Sequence, residues 1–313
     1  MSYYVNNGSR VFCSFLDASK AFDRLVHSGL FLKLIERNVP KAFLDVIISW
    51  YDGLLCRVKW GSHFSDWFSV TAGVRQGGVL SPEFYSIYVD ELILKLKACG
   101  VGCHVRNLFA AALFYADDMA ILSPSLKGLQ TLIDICGNYC SEWDICLNAG
   151  KTKNLYFGKR CTNLAKLTLD GKPMEWYDSC VYLGVTLKSH KQFNCSISDR
   201  IRKFYRCANS ILRIDGRSND VTMLALLESH CIPILTYAIE AIYVADPAER
   251  RKLRVAYNSI FRKIFSYRYR DSVRELQGLL ERPTWEELIE QKRLSFRSRA
   301  RQCPPHSLIK SLL

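Results

Sequence analysis

Residues 113–122, LFYADDMAIL, set two adjacent aspartates, Asp117 and Asp118, between two apolar runs. A carboxylate in an apolar stretch is costly, and two side by side are worse, unless cations neutralise them. Either the pair sits on an exposed turn or it holds metal. The preceding NLFAAA reads as a leading strand, so the whole stretch is expected to fold as a hairpin bent at the aspartates.

Working outward, a second carboxylate closes another apolar run. In RVFCSFLDASKAFDRL a strand over Val11 to Leu16 ends on Asp17. Strand side chains alternate between faces, so Asp117 and Asp118 cannot both point the same way along one strand. If the hairpin lies beside the Asp17 strand, one aspartate faces Asp17 across the sheet. Asp117 is expected to meet it, with Asp118 flanking. Such a cluster suits two magnesium ions roughly 4 Å apart, the arrangement used for in-line phosphoryl displacement. Magnesium takes oxygen ligands and keeps waters, so two or three carboxylates suffice. Manganese is the natural substitute.

The bulk composition fits a folded chain with room for a core. The 313 residues are 49% apolar and 12% aromatic, outside the range of disordered chains. The longest apolar stretches, near residues 108–116 and 232–245, are broken by Asp117 and Glu240, so no membrane span is expected. MSYYVNNGSRVF lacks a basic-then-apolar signal layout. The expectation is an intracellular protein, nuclear or cytoplasmic or both. Thirteen cysteines, scattered and without a CxxC, fit reduced buried thiols better than zinc ligands. The zinc alternatives are Cys99, Cys103 and His104, or Cys136, Cys140 and Cys146.

Charge is segregated. Residues 1–150 carry 13 Lys and Arg against 14 Asp and Glu, whereas residues 151–313 carry the other 30 against 16. A basic half suggests a polyanion, most simply nucleic acid. Aromatics interleave the charges in RIRKFYRCANSILRI and RVAYNSIFRKIFSYRYR, and rings can stack on bases. Residues 200–217 and 250–274 are therefore expected to hold a nucleic-acid backbone.

The remaining patterns supply a coarse topology. One helix is read through Phe22, Leu25 or Val26, Leu30 and Leu34, and another through KAFLDVIISWYDGLL. CRVKWGSHFSDWFSV reads as a hairpin turning at Gly61-Ser62, and TAGVRQGGVL as a glycine-bearing loop. Ser81 is expected to cap a helix starting at Pro82. A helix with a stripe at Leu129, Ile133, Cys136, Cys140 and Trp143 follows the aspartate hairpin. Short strands come next in KNLYFG, KLTLDG and VYLGVTL, and from about residue 194 the pattern is helical to the end.

The ordered set FLDASKAFD, RQGGVLSPEFYSIYVDEL, FYADD, LNAGKTKNLYFG and YLGVTL resembles the reverse transcriptases of non-LTR (LINE-type) retrotransposons. The resemblance covers about residues 3–190 and continues loosely through CIPILTYAIEAIYV and RRKLRVAYNSIFRKIF, which resemble the thumb and the segment after it. It implies an α+β fold, a palm-type polymerase domain with an antiparallel sheet backed by helices, then an all-helical thumb-like region. The expected boundaries are 1–191 for palm with partial fingers and 192–313 for the helical remainder.

The resemblance also implies roles. Asp17, Asp117 and Asp118 match the metal ligands, and Lys151 the lysine that protonates departing pyrophosphate, with Lys153 a near alternative. Phe22 matches the aromatic that rejects a 2′-hydroxyl. Asp23 matches a structural position. Gln76, Gly77 and Tyr115 match the nucleotide pocket. Tyr182, Leu183 and Gly184 match the hairpin that grips the primer end. The implied cofactor is Mg2+ (or Mn2+), and the implied partners are an RNA template, a DNA primer and a dNTP, with no membrane and no stated oligomeric state.

The departures from the family pattern matter equally. Only 16 residues precede Asp17, where the family has most of its fingers and their basic triphosphate grip. The expectation is a chain without the endonuclease that most such elements carry upstream, and Cys303 with His306 is not expected to make a zinc knuckle. An N-terminally truncated RNA-directed DNA polymerase is the expected identity. The alternative is a catalytically inactive nucleic-acid-binding remnant or domesticated fragment. An RNA-templated RNA polymerase of the same palm type fits YADD and Phe22 less well.

Overall fold

The structure, a computed structural model, describes residues 1–313 except 160, 162, 163, 215–218, 241, 243–246, 305, 306, 308 and 311–313. Three expectations therefore fall partly outside the described residues: the end of the 200–217 basic stretch, part of CIPILTYAIEAIYV, and His306. The chain divides into two compact units, Tyr3–Tyr177 with Met1, and Asp178–Leu313 with Ser2.

The first unit is built on a five-stranded antiparallel sheet. Its centre is β1 (Val11–Ser19). On one side lies β3 (Asp118–Ser123), itself paired with β2 (Ala112–Tyr115). On the other side β4 (Cys146–Leu147) and β5 (Lys153–Phe157) pair with successive parts of β1. Every residue from Val11 to Leu16 is buried, as a strand covered on both faces must be. Helix α4 (Leu126–Glu142) covers the sheet. Its first turn is fixed by Ser125, whose hydroxyl accepts from the Gly128 N–H at 3.1 Å. Its buried stripe includes Leu129, Ile133, Cys136 and Cys140, matching the expected spacing.

The longer helices among those that remain in this unit are α1 (His27–Glu36), α2 (Lys41–Tyr51) and α3 (Ser81–Ala98). α3 packs between α1 and α4. Lys33 of α1 is buried there, paired with Glu91 at 2.8 Å and lying 3.7 Å over the Trp143 ring. A buried ammonium needs such partners. The Gly61-Ser62 hairpin forms as expected, with Trp60 opposite His63.

Local expectations were overturned in three places within this unit. The helix read through Phe22 and Leu34 is interrupted at Leu25-Val26, between Ala21–Arg24 and α1. There the backbone turns outward: Val26 bridges Ala72, and the Leu25 carbonyl accepts from Gly73 N–H at 2.7 Å. Ser81 is the first helical residue rather than the cap, because its hydroxyl donates to the Arg75 carbonyl at 2.6 Å. Finally, the strand leading into the aspartates begins at Ala112. Leu108–Phe109 belongs to a separate two-stranded hairpin with His104–Val105.

The second unit opens with a three-stranded antiparallel sheet, β6 (Ser179–Tyr182), β7 (Val185–Lys188) and β8 (Asn194–Ser196). The last of these strands was not anticipated. From Ser198 onward the described elements are helices, chiefly α5 (Ser198–Ile214), α6 (Asp220–His230), α7 (Pro247–Ile264) and α8 (Trp285–Gln302). Their shared core holds Phe204, Leu227, Tyr257, Ile260 and Phe261. Thr284 and Glu287 form a capping box at the start of α8. The chain is thus α+β, an antiparallel sheet backed by helices and then a mainly helical region. Among the described residues no helix is long and apolar enough to cross a membrane.

Candidate active site

Asp17, Asp118 and Tyr115 are set side by side by strand register. Asp17 of β1 stands opposite Asp118 of β3, and Asp118 stands opposite Tyr115 of β2. Directly opposed residues project from the same face of a sheet. The cross-strand partner of Asp17 is therefore Asp118, where Asp117 had been expected. Ala116 and Asp117 form the two-residue bend between β2 and β3. Ala116 has φ +51°, the sign that the first position of a type II′ hairpin turn demands. Spending a non-glycine residue on that conformation places Asp117 at the tip, one residue short of the paired strand.

The electrostatics tie the three carboxyls together. Burial, and then the charges of Asp117 and Asp17, raise the Asp118 carboxyl above the usual aspartate value. Among the described residues one cation answers them at close range. Lys151 Nζ lies 3.9 Å from Asp17 Oδ2. Lys153 instead lies over the Tyr177 ring at 5.6 Å, so the two lysines that sequence left as alternatives separate.

The loop carrying Lys151 is stitched to Asp17 through the backbone. Asn148 N–H donates to the Asp17 carbonyl at 2.9 Å, and Asp17 N–H donates to Thr152 Oγ1 at 3.4 Å. The Thr152 hydroxyl in turn donates to the Asn148 carbonyl at 2.9 Å, and Asn148 Oδ1 accepts from Lys151 N–H at 3.1 Å. Asn148 and Thr152 were missed as positioning residues. The Asn-x-x-Lys-Thr spacing is a turn signal that could have found them.

Phe22 and the glycine loop also come together. The Phe22 carbonyl accepts from Val74 N–H at 2.8 Å, and Gln76 Nε2 donates to Asp23 Oδ1 at 2.9 Å. Asp23 thus serves the loop, as its structural character implied. Gly77 has φ +82°, and a Cβ there would meet nothing within 4 Å. That backbone is open to close approach from outside. The Phe22 ring is stacked on Tyr85 at 5.0 Å. Tyr85 is buried, its hydroxyl has no hydrogen-bond partner, and burial, Cys140 and Asp117 raise its pKa. Nothing in the sequence marked Tyr85.

Tyr182, Leu183 and Gly184 lie in the second unit. Tyr182 pairs with Val185, so Leu183-Gly184 is a two-residue turn with φ +46° and +72°, the type I′ signature. The Leu183 carbonyl accepts from the Tyr237 hydroxyl at 3.0 Å.

The three aspartates are hard oxygen donors of the kind a divalent cation takes, and the charges of Asp117 and Asp17 add to burial in raising the Asp118 carboxyl. Among the described residues no group of three or more His, Cys, Asp or Glu side chains, the three aspartates included, is gathered closely enough to hold a metal ion. Of the cysteine sets, Cys103, Cys136 and Cys140 are buried, Cys99 is half-buried and Cys146 is exposed, none of them in a disulfide. Burial pushes Cys103 up to about 11 and Cys140 up to about 12.

Known proteins bear on this geometry. The model of the reverse transcriptase (RNA-dependent DNA polymerase) family matches residues 2–187. A probable RNA-directed DNA polymerase from transposon BS of Drosophila melanogaster is 27% identical over 307 residues, covering 94% of this chain and 33% of that protein. The RNA-directed DNA polymerase from mobile element jockey of the same fly is 26% identical over 277 residues, covering 84% and 30%. Both are polymerases of non-LTR retrotransposons, the group the motifs resemble. The chain spans about a third of the length of these relatives. Among solved structures, telomerase from Candida albicans in complex with a TWJ fragment of telomeric RNA covers 85% of this chain and 43% of its own, at 15% identity and a TM-score of 0.47. The family match takes in the segments that carry Asp17, Gln76, the Asp117-Asp118 hairpin and Lys151, and on it the chain belongs to the reverse transcriptase family.

Proposed function

We propose that this chain is the palm and thumb part of an RNA-directed DNA polymerase of a non-LTR retroelement, adding dNTPs to a DNA primer on an RNA template. Residues 1–191 would be palm with partial fingers, and residues 192–313 the thumb-like and C-terminal region. The observation that carries the reading is the meeting of Asp17 and Asp118 across β1 and β3, with Asp117 at the adjoining tip. Asp17, Asp117 and Asp118 would hold magnesium or manganese, which when bound lowers the pKa of a primer hydroxyl and neutralises phosphate charge.

The other residues act on the nucleotide directly. Lys151, beside Asp17, holds a proton within reach of the leaving pyrophosphate. Phe22, backed by Tyr85, forms the floor under the sugar and excludes a 2′-hydroxyl. Gln76 and Gly77 line the base and template side, with Tyr115 next to Asp118. The Tyr182–Gly184 turn holds the primer end, and the basic second half holds the nucleic-acid backbone, with affinity falling steeply as salt rises.

Primer extension on oligo(dT)·poly(rA) with magnesium or manganese tests this. Extension abolished by Asp117→Asn supports the polymerase reading. A second reading, a non-catalytic nucleic-acid-binding remnant, is favoured because no three metal-ligating side chains among the described residues are gathered closely enough to hold a metal ion. Salt-sensitive binding with no extension, even after fusion of a fingers segment, would select it.

A further inference from the structure

Helix α7, the turn after it, the short helix Arg274–Leu279 and the start of α8 enclose a recess of about 790 Å³. Its wall is unusually basic. Arg251, Arg254 and Arg262 line it from α7, Arg270 from the turn and Arg274 from the short helix. The three α7 arginines share a helix face, being spaced by three and eight residues. Five guanidiniums are answered by two lining carboxylates, Glu286 and Glu287. Glu286 meets Arg254 at 3.4 Å. The Glu287 carboxyl is drawn to the Thr284 backbone in the capping box, which, with the Thr284 side chain and Arg274, holds it below the usual range. Like charges gathered this way repel, and an anion in the recess relieves them.

The rest of the lining says which anion. Tyr269 stands at the recess 79% exposed, a large ring offered to solvent between two arginines of the sequence, Arg268 and Arg270. Inside, Gln277 is only 2% exposed, and its Nε2 donates to Asn258 Oδ1 at 3.3 Å. Burial and that bond make Gln277 part of the recess wall, so the groups open to a ligand are the Tyr269 ring and the guanidiniums. A ring for stacking and cations for phosphate are the two parts of a nucleotide site on a single strand. The volume falls in the range of sites that enclose a small molecule. A duplex keeps its bases paired and would leave the Tyr269 ring unused.

We propose that this recess captures one unpaired nucleotide of a single-stranded polynucleotide, the phosphate on Arg251, Arg270 and Arg274 and the base on Tyr269. The inference rests on the nucleic-acid reading of the basic half and adds to it a strand state and a pocket.

The test is fluorescence anisotropy of the 313-residue chain with labelled oligo(rU), oligo(dT) and a blunt DNA duplex across a salt series. Tyr269→Ala should weaken both single strands by roughly fivefold to a hundredfold, the range that loss of base–aromatic stacking gives. Duplex affinity should not change, and Tyr269→Phe should restore single-strand binding. Arg251→Gln with Arg270→Gln should lower the single-strand salt slope by about 0.7 for each phosphate that is no longer neutralised. A difference between the RNA and DNA arms identifies the preferred strand. Single-strand binding untouched by Tyr269→Ala, or loss shared equally with the duplex, overturns the pocket while leaving the basic half as a nucleic-acid surface. No binding to any of the three oligonucleotides overturns both.

Discussion

Asp118 stands directly across β1 and β3 from Asp17, so the two carboxyls share one face of the central sheet. Burial and this company raise the proton affinity of Asp118 in the folded state. Its charge is therefore a cost above the folded pKa, and the cost disappears once pH falls below the unfolded value of about 3.9. Asp118→Asn should leave the urea midpoint at pH 7 unchanged or slightly higher. The gain is no more than about 1 kcal/mol, since the side chain is largely solvated. That advantage should shrink as pH is lowered toward 4. A variant clearly less stable than the parent at pH 7 would contradict the assignment.

Lys151 is the only cation within salt-bridge distance of the three carboxylates among the described residues. An exposed pair of this length contributes at most about 1 kcal/mol to stability. Lys151→Ala should accordingly leave the melting temperature within a few degrees of the parent. If Lys151 donates the proton to pyrophosphate, single-turnover extension should fall by about 10²–10⁴. Lys153→Ala should not reproduce that loss.

Extension by the 313-residue chain alone should be weak even where binding is tight. Among the described residues Lys151 alone pairs with the three site aspartates, and phosphoryl transfer that is short of one cationic clamp can lose about 10³–10⁵ in rate. Gel-resolved extension beside anisotropy on the same primer–template measures both at once. Robust extension would show that Lys151 and bound metal are sufficient.

The Leu183-Gly184 turn is held by Tyr237 from below. A Cβ on Gly184 would sit 3.2 Å from the Tyr237 ring at a φ of +72°. Gly184→Ala should destabilise the second unit by about 1 kcal/mol or more. Tyr237→Phe, which removes the bond to the Leu183 carbonyl, should cost about 0.5–1.5 kcal/mol. Chemical denaturation followed by tryptophan fluorescence reads both.

Thiol labelling offers an independent check on packing. Cys56 and Cys146 are exposed, while Cys103, Cys136, Cys140 and Cys231 are buried. Burial lifts the Cys231 thiol, with help from Cys207, up to about 12. At pH 8 an aromatic disulfide reagent should modify Cys56 and Cys146 first and reach the buried thiols only after denaturation. Early loss of Cys136 or Cys140 would indicate a loosened α4.

Sequence made the sheet legible because β1 and β3 are short continuous apolar runs punctuated by carboxylates, the pattern of buried strands with a chemical label. It misjudged which aspartate faces Asp17, because register depends on where the bend falls, and Ala116 does not advertise a left-handed conformation as glycine does. The break at Leu25-Val26 was hidden because both residues suit a helix, and only the passing Ala72-Gly73 segment pulls them out. β8 was invisible: Asn194, Cys195 and Ser196 have little strand propensity, and pairing with β7 makes the strand. Lys151 was found by motif, whereas Thr152 and Tyr85 act through a hydroxyl and a ring whose partners are remote in sequence.

The left-handed residue at the aspartate bend also limits which sequences can occupy it. A non-glycine residue in that conformation costs about 1–3 kcal/mol, and β-branched side chains fit it worst. Position 116 is therefore a bottleneck in sequence space. Valine, isoleucine or threonine there would unseat Asp117, while glycine would relax the bend and let its tip wander. Alanine lies between these failures, rigid enough to aim a carboxylate and small enough to be tolerated. Drift at this one residue should be the earliest record of a lineage that has stopped needing the site.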